Sequence, residues 1–491
     1  MAIWHVDSNF KDFVNLVEFK FGQNLRKLSN FFQIKYCWLL CISNSTSQTI
    51  ASSMKVKTIS RSEEFSRERL GDIFKVQKNL DPVLHPFEQA REYTRALNST
   101  KLERLFAKPF VGALSGHIDG VYCMTKHPKK LTTILSGSGD GEIRIWSLSS
   151  QTCTWKSIGH KGFVKGLTYV PFNDHFLSVG EDKVIKMWDQ NESQPTNTYI
   201  SKYAFTGIDH HRSKPLFATS STGIDLWDHH RSEPTQTLQW GAETAISVKF
   251  NQTETNIVAS CGTDRTIILY DIRTTSPITK VIMAMQTNAI AWNPMEAFNF
   301  TTANEDHNCY TFDMRNLGNT LSVAKDHVSA VLDIDYSPTG EEFVTGGYDK
   351  TIRIFGARDG RSREVYHTKR MQRTFCVKFS MDAKFILSGS DDGNIRLWKT
   401  NASDKLGTLT QRERNALEYS KAVKNRYKHM PEIRRIDKHR KVPKAVKGAA
   451  RKKTIMENSI KAKENNRRNH SAPDAVPFKA ERKKHILAVE Q

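Results

Sequence analysis

The chain has 491 residues, 38% of them hydrophobic, and a formal net charge of +21. That length carries one large domain of about 250–300 residues plus extensions, and the surplus of Lys and Arg favours a polyanion as partner. No apolar run is long enough to span a bilayer, and the seven cysteines, odd in number and without zinc or disulfide spacing, read as apolar fillers in a reducing compartment.

Residues 1–53 contain the most apolar run, "YCWLLCI" (Tyr36 to Ile42). It is too short for a span and starts too late for a secretory signal of ordinary form. Met54 opens "MKVKTISR", a second start, so 1–53 is expected to be a weakly structured extension. Residues 54–105 are polar, then helix-patterned in "FEQAREYTRALNSTKLERLFAKPF" (Phe87 to Phe110), and are expected to pack on the domain that follows. The run "FVGAL" (Phe110 to Leu114) reads as a strand.

From there to about residue 410 a pattern recurs: "DGEIRIW" ending at Trp146, "DKVIKMW" at Trp188, a decayed "STGIDLW" at Trp227, "DRTIILY" at Tyr270, "DHNCYTF" at Phe312, "DKTIRIF" at Phe355 and "DGNIRLW" at Trp398. A period of about 40–45 residues resembles the WD-repeat β-propeller, in which each repeat supplies four strands. The implied fold is all-β: a seven-bladed WD-repeat propeller over 106–410 with a basic, partly helical extension over 411–491. Asp140-Gly141 and Asp392-Gly393 suit hairpin turns, which need positive φ. "FVGAL" and "KLGTLT" (Lys405 to Thr410) compete to supply the outer strand that closes the ring.

Three repeats carry a histidine 22 or 23 residues before the turn Asp: His117, His160 and His327. By resemblance to WD repeats, His117, Ser136, Asp140 and Trp146 form one buried hydrogen-bonded set, and His160, Ser178, Asp182 and Trp188 another. A buried carboxylate needs donors, and an imidazole supplies one. The glycines of "SGSGDG" (Gly137, Gly139, Gly141) imitate a phosphate loop, but no Lys-Ser/Thr and no helix pattern follow. They belong to a strand end and its turn.

"YDIR" (Tyr270 to Arg273) and "FDMR" (Phe312 to Arg315) place Asp271 with Arg273, and Asp313 with Arg315, on one strand face. An intramolecular Asp–Arg pair at the blade edge accounts for either copy alone. The tandem pattern also resembles the Trp/Tyr-Asp-x-Arg motif of cullin-4 ligase receptors, whose Arg contacts an adaptor propeller. His210, His211, His229 and His230 tempt a metal reading, as do Cys37 and Cys41; surface or capping roles suit the histidines better. No Walker motif, nucleophile elbow or zinc spacing appears, so neither catalysis, a metal nor a cofactor is expected.

From residue 399 onward 26 Lys and Arg face 10 Asp and Glu, so +16 of the +21 sits there. Ala416, Tyr419, Val423 and Tyr427 follow helical spacing up to Pro431, which stops or bends the helix. Beyond it, too few large apolar residues remain for a core, and the segment is expected to order on a partner. Tyr427, Ile433, Ile436 and Val442 interleave with Arg434, Arg435, His439, Arg440 and Lys441, which suits docking on RNA phosphates with apolar anchoring. Tyr427, Arg434, Arg435, Ile436, His439, Arg440 and Lys441 are the candidate RNA contacts. Clusters such as "RKK" (451–453) and "ERKKH" (481–485) also serve nuclear import.

Four long stretches, "DPVLHPFEQAREYTRALNSTKLERLFAKPF" (Asp81 to Phe110), "WNPMEAFNFTTANEDHNCYTFDMR" (Trp292 to Arg315), "DHVSAVLDIDYSPTG" (Asp326 to Gly340) and "SREVYHTKRMQ" (Ser362 to Gln372), resemble the Sof-like (suppressor-of-fibrillarin) WD-repeat family from about Met54 onward. The resemblance implies a nuclear, nucleolar, non-enzymatic component of the small-subunit processome. Its implied partners are pre-rRNA and the box C/D small nucleolar ribonucleoprotein, with the cullin-4 ligase adaptor as a second one. It implies no membrane and no small-molecule substrate.

Overall fold

Alternating apolar and polar positions within each repeat produce strands with one face toward each neighbouring blade. The computed structural model describes residues 82–490 apart from 242, 243, 275, 473 and 474. The readings made for 1–53, for 54–81 and for Cys37 and Cys41 lie outside the described residues. Within them the repeats form seven antiparallel sheets, and the C-terminal segment folds as helices, as the sequence implies. Blade one spans 121–158, blade two 164–200, blade three 207–238, blade four 245–283, blade five 287–324 and blade six 331–366; blade seven begins at 374 and ends at 399. The decayed third repeat still builds four strands, the last of them only Gln236–Leu238.

Phe110–Ser115 pairs antiparallel with Asn394–Lys399 as the outer strand of blade seven, with Ala113 opposite Arg396. "FVGAL" therefore closes the ring and "KLGTLT" does not. The inner strands of blades seven and one also meet: Tyr122 stacks on Phe375 at 4.5 Å, and the Cys376 thiol reaches Val121 O at 3.5 Å. Closure gives every blade two neighbouring blades to pack against.

One apolar cluster fills each of the seven blade interfaces. Between blades one and two, Leu135, Ile143 and Val164 pack with Phe176 and Trp188. Cys261, Cys309 and Cys376 lie in such clusters, and burial pushes the Cys261 thiol up to about 12, consistent with a packing role. The turn position filled by Gly141 (φ +84) and Gly393 (φ +71) also has positive φ at Lys183, Arg265, His307 and Lys350. Glycine is obligatory where space forbids more: a Cβ at Gly141 would collide with the carbonyl oxygen of His160.

The rest of the described chain is a helical module and a strap. Helix α1 is Glu88–Leu105, α2 Gln411–Arg426, α3 Pro431–Lys438 and α4 Lys444–Asn469. Helix α2 begins at a capping box: Glu413 N donates to Thr410 Oγ1 (3.4 Å), and Thr410 N donates to Glu413 Oε2 (3.1 Å). Pro431 ends the run by starting α3, where its missing N–H costs nothing. Ala96, Val423 and Ile433 are buried together, with Tyr93, Leu97, Tyr427 and Met430 around them. The expectation that the segment beyond Pro431 waits for a partner is thus corrected for α3, while α4 buries no residue. The segment has too few apolar residues for a core of its own, but α1, from the other side of the ring in sequence, supplies the missing surface to α3.

Beyond α4 the chain returns to the ring. Thr320 N and Oγ1 donate to Arg482 O (3.2 and 3.0 Å), Lys325 pairs with Glu481, and Ala284 N donates to His485 O (2.9 Å). Ile486–Glu490 then adds to blade four as a fifth strand, antiparallel to Pro277–Met283 with Val489 opposite Val281.

Candidate interaction surfaces and the clamps beneath them

The buried polar sets form in order of donor and acceptor. In blade two, Trp188 Nε1 donates to Ser178 Oγ (2.9 Å), which lies 2.7 Å from His160 Nε2, and His160 Nδ1 lies 3.0 Å from Asp182. The chain of bonds is satisfied when the imidazole is neutral, its Nδ1–H on the carboxylate and its Nε2 taking the serine proton. Burial lowers the His160 pKa, which suits that state. Blade six repeats the set with His327, Thr345 and Asp349, under Phe355 in place of Trp. Burial works against the Asp349 carboxylate, but His327 and Thr351 outweigh it and hold its pKa well below the usual range.

Blade one departs from the expectation. Trp146 and His117 do meet at Ser136 (2.8 and 2.7 Å), but the carboxylate beside His117 Nδ1 is Glu142, at 3.4 Å. Asp140 is exposed and accepts only from Glu142 N of its own turn (3.1 Å). Asp140 is therefore not the buried acceptor expected of it: the carboxylate nearest His117 is Glu142, an ion-pair neighbour that leaves His117 Nδ1 without a hydrogen bond. Two residues further along the strand, Glu142 reaches back beneath the turn, where Arg144 also holds it (2.8 Å). Burial, reinforced by Arg144, lowers the His117 pKa to about 4. His117, Asp140 and Glu142 are the one cation-sized cluster of His and carboxylates among the described residues, and Arg144 already brings a positive charge to Glu142.

Blades without the upstream histidine substitute for it. In blade seven Trp398 Nε1 still donates to Ser388 Oγ (2.9 Å), while Arg396 holds Asp392. In blade five His485, from the strap, lies at ion-pair distance from Asp306 (3.6 Å) and packs tilted against Tyr310, centroids 4.5 Å apart. The four histidines of blade three are not a metal set. His210 Nε2 and His229 Nε2 are 2.8 Å apart, His210 Nδ1 donates to His211 O (2.6 Å), and His211 Nδ1 accepts from Ser213 N and Lys214 N. His211 caps its turn, as expected. His210 and His211, however, are buried rather than on the surface.

Asp271 and Asp313 each hold their own Arg at the end of a third strand. Arg273 Nη2 is 2.8 Å from Asp271 Oδ2, and Arg315 Nη2 is 2.9 Å from Asp313 Oδ2. Each Asp also accepts from its Arg backbone N at 3.0 Å. The Asp side chains are nearly covered and the Arg side chains are 68% and 63% exposed, so each guanidinium is fixed but presented. The Arg beside it holds each carboxyl pKa below the usual range. Arg315 also lies 4.3 Å over the Phe298 ring.

The residues proposed for RNA separate into two groups. Arg434, Arg435, His439 and Lys441 are exposed, and no carboxylate among the described residues pairs with them. Tyr427 and Arg440 are engaged inward. Tyr427 packs on Tyr93 and donates to Glu92 (3.1 Å), while Arg440 bonds Arg363 O and Asp437 O and lies 3.5 Å from Glu364. Ile436 is half-buried. Helical spacing marked Tyr427 as apolar, but nothing in it said which helix would cover the ring.

Between the helical module and blade six lies an open cleft of about 1750 Å³. Its floor is an ion network: Arg104 bridges Glu364 (2.7 Å) and Asp437 (3.4 Å), and Lys424 bridges Glu103 and Asp437 (2.8 Å each). The sequence reading missed this cleft entirely. Its walls come from α1, α2, α3, the start of α4 and blade six, which only the fold brings together.

Residues 400–486, covering the helices α2 to α4 and most of the strap, match the Sof1-like domain family. DDB1- and CUL4-associated factor 13 of Xenopus tropicalis is 50% identical over 443 residues, covering 89% of this chain and 100% of that protein. Protein SOF1 of Saccharomyces cerevisiae is 49% identical over 464 residues, covering 88% and 94%. The chain belongs to the Sof1-like WD-repeat family. In this Sof1-family chain the WD domain, G-beta repeat, matches at 108–147, 151–189, 232–271, 318–356 and 367–399. The first three strands of blades three and five fall outside those matches although both are complete sheets. The WD40 propeller domain of Doa1 has the same fold, with a TM-score of 0.53 at 20% identity over 59% of this chain and 96% of that one. Neither matching family is a catalytic one.

Proposed function

We propose that this Sof1-family protein is a non-enzymatic assembly factor of the nucleolar small-subunit processome, required for 18S pre-rRNA processing and small-subunit biogenesis. The observation that carries the reading is the Sof1-like segment itself. It is folded onto a rigid ring, yet it leaves Arg434, Arg435, His439 and Lys441 exposed and without carboxylate partners. A closed ring with fixed edges suits docking, and unpaired cations suit phosphates. The partners in this reading are pre-rRNA and the box C/D ribonucleoprotein, in the nucleolus. Depletion in cells that express the protein should accumulate unprocessed small-subunit precursor and spare the large subunit. Normal 18S maturation after complete depletion would reject the reading.

A second reading is that of a substrate receptor of a cullin-4 ligase. It is favoured by the paired geometry of Asp271–Arg273 and Asp313–Arg315 and by the name of the vertebrate relatives. Arg273→Glu with Arg315→Glu should abolish co-purification of the adaptor propeller while precursor RNA remains bound. Unchanged co-purification with the ring intact would remove this second role.

A further inference from the structure

The cleft over blade six combines three features. First, its charges are unevenly balanced. Of the seven carboxylates lining it, Glu103, Asp326, Glu342, Glu364 and Asp437 are already paired with Arg or Lys. Arg361, Lys421, Lys428, Lys438, Lys441 and Lys447 line it too, and none has a carboxylate partner among the described residues. Second, two aromatic rings stand open in it: Phe106 at the end of α1 is 66% exposed and Tyr419 on α2 is 49% exposed. Third, Arg95 donates to the Tyr419 hydroxyl (3.1 Å), which anchors the edge of that ring and leaves its face free.

Lysines interleaved with open rings are the elements that bind a single nucleic-acid strand: ammonium groups follow the phosphates and rings stack on unpaired bases. A duplex keeps its bases stacked inside and has nothing to offer the rings. An acidic polypeptide would also use the lysines, and Leu102 and Leu417 beside the rings offer it some apolar surface, but it would leave the faces of two open aromatic rings without a stacking partner.

We propose that the cleft between α1, α2 and blade six holds a single-stranded segment of RNA, with bases stacked on Phe106 and Tyr419 and phosphates on Lys421, Lys428 and Lys447. This rests on the reading of the chain as an RNA-assembly factor and names the form of RNA it takes at a site separate from Arg434 and Arg435.

The test uses the full-length chain, a fluorescent oligouridylate of about 15 nucleotides and an RNA duplex of the same length, titrated across a range of salt. Tyr419→Leu and Phe106→Leu should each weaken oligouridylate binding about tenfold without changing its salt slope, and should leave duplex binding alone. Tyr419→Phe, which keeps the ring but loses the Arg95 anchor, should weaken binding less than Tyr419→Leu, and circular dichroism of each variant should match the unaltered chain, showing that the module still folds. Changing Lys421, Lys428 and Lys447 together to Gln should reduce the log–log salt slope by about 2. If the ring substitutions change nothing, or weaken duplex and single strand alike, the proposal is overturned. It is equally overturned if Lys421 and Lys428 crosslink to an acidic protein in purified particles while oligouridylate affinity is untouched. If those results come from a protein that still enters small-subunit precursors, the cleft proposal alone fails. If the cleft binds RNA as described but the protein is absent from precursors, the assembly reading fails instead.

Discussion

Blade two and blade five bring a histidine to the turn Asp by different routes. Blade two completes its clamp from within its own repeat, His160 to Asp182 and Ser178 to Trp188. Blade five has no such histidine and receives His485 from the far end of the chain, against Asp306 and Tyr310. The contrast extends to the whole molecule. The ring is held by contacts between neighbours in sequence, closed by one non-local strand. The helical module and strap are held almost entirely by non-local ones. The first kind of structure is stable once the ring is shut; the second can be removed in parts.

The largest effect should separate these two. Deleting Phe110–Ser115 takes the outer strand from blade seven, strips Leu114 from the core between blades seven and one, and opens the ring. The expected outcome is loss of the cooperative unfolding transition, seen by calorimetry. Truncation after His485 removes only the fifth strand of blade four, whose outer residues Leu487 and Val489 are already exposed. It should leave a cooperative transition in place. Equal damage from both deletions would mean that the strap, too, is part of the ring's closure.

A smaller effect tests whether the helical module is a separate unit. Ile433 is fully buried among Ala96, Val423 and Tyr427. Ile433→Ala should cost about 2–5 kcal/mol, the range for truncating a buried Ile. Because that core touches no blade cluster, the cost should fall on the module. Hydrogen exchange should speed up in α1, α2 and α3 and stay unchanged in the blades. Exchange that rises uniformly would show module and ring to be one cooperative unit.

These differences explain what was legible beforehand. Strand period, turn chemistry and the spacing of Trp146, Trp188 and Trp398 are local, so the seven blades could be read from the repeat, and the clamp of blade two followed from the resemblance to WD repeats. Asp140 was misassigned because the spacing cannot tell which of two carboxylates, two residues apart, reaches back to His117. The end of α2 at Pro431 was legible because proline acts locally. The union of α1 with α2 and α3 was not, since Ala96 and Ile433 are weak signals until they meet. "HILAVE" is short and apolar enough to suggest a strand, but no rule of pattern names blade four as its partner. For the candidate site, composition located the positive charge, while only the fold showed that Arg440 is spent inside and Lys421 is free.

The histidine pair of blade three gives a pH-dependent test of about the same size. Burial lowers the His210 pKa from 6.5 to about 4, and His229 is lowered for the same first reason. A pKa lower in the folded than in the unfolded state means the unfolded chain takes up the proton first. Stability is then full above pH 6.5 and falls as pH drops from 6.5 toward 4. His210 alone accounts for about 3 kcal/mol across that window. His210→Gln should flatten the dependence of melting temperature on pH between 6.5 and 4. An unaltered profile would mean that other groups carry the acid sensitivity.

The smallest effect is also the sharpest comparison, because it sets two equivalent positions against each other. Asp182 and Asp140 occupy the same place in consecutive repeats. Asp182 accepts from His160 Nδ1, Lys161 N and Val184 N, so Asp182→Ala leaves the buried imidazole without its acceptor. The expected loss is about 1–3 kcal/mol. Asp140 is exposed and bonds only its own turn, and the carboxylate beside His117 Nδ1 is Glu142, at ion-pair distance without a hydrogen bond. Asp140→Ala should therefore stay within about 0.5 kcal/mol, the usual range at a surface position, whereas Glu142→Ala, which removes the ion-pair neighbour of His117 and the partner of Arg144, should cost more than Asp140→Ala and less than Asp182→Ala. Chemical denaturation of the three variants side by side decides the matter. If Asp140→Ala costs as much as Asp182→Ala while Glu142→Ala costs nothing, blade one uses the same clamp as blade two, and the substitution of Glu142 for Asp140 is wrong.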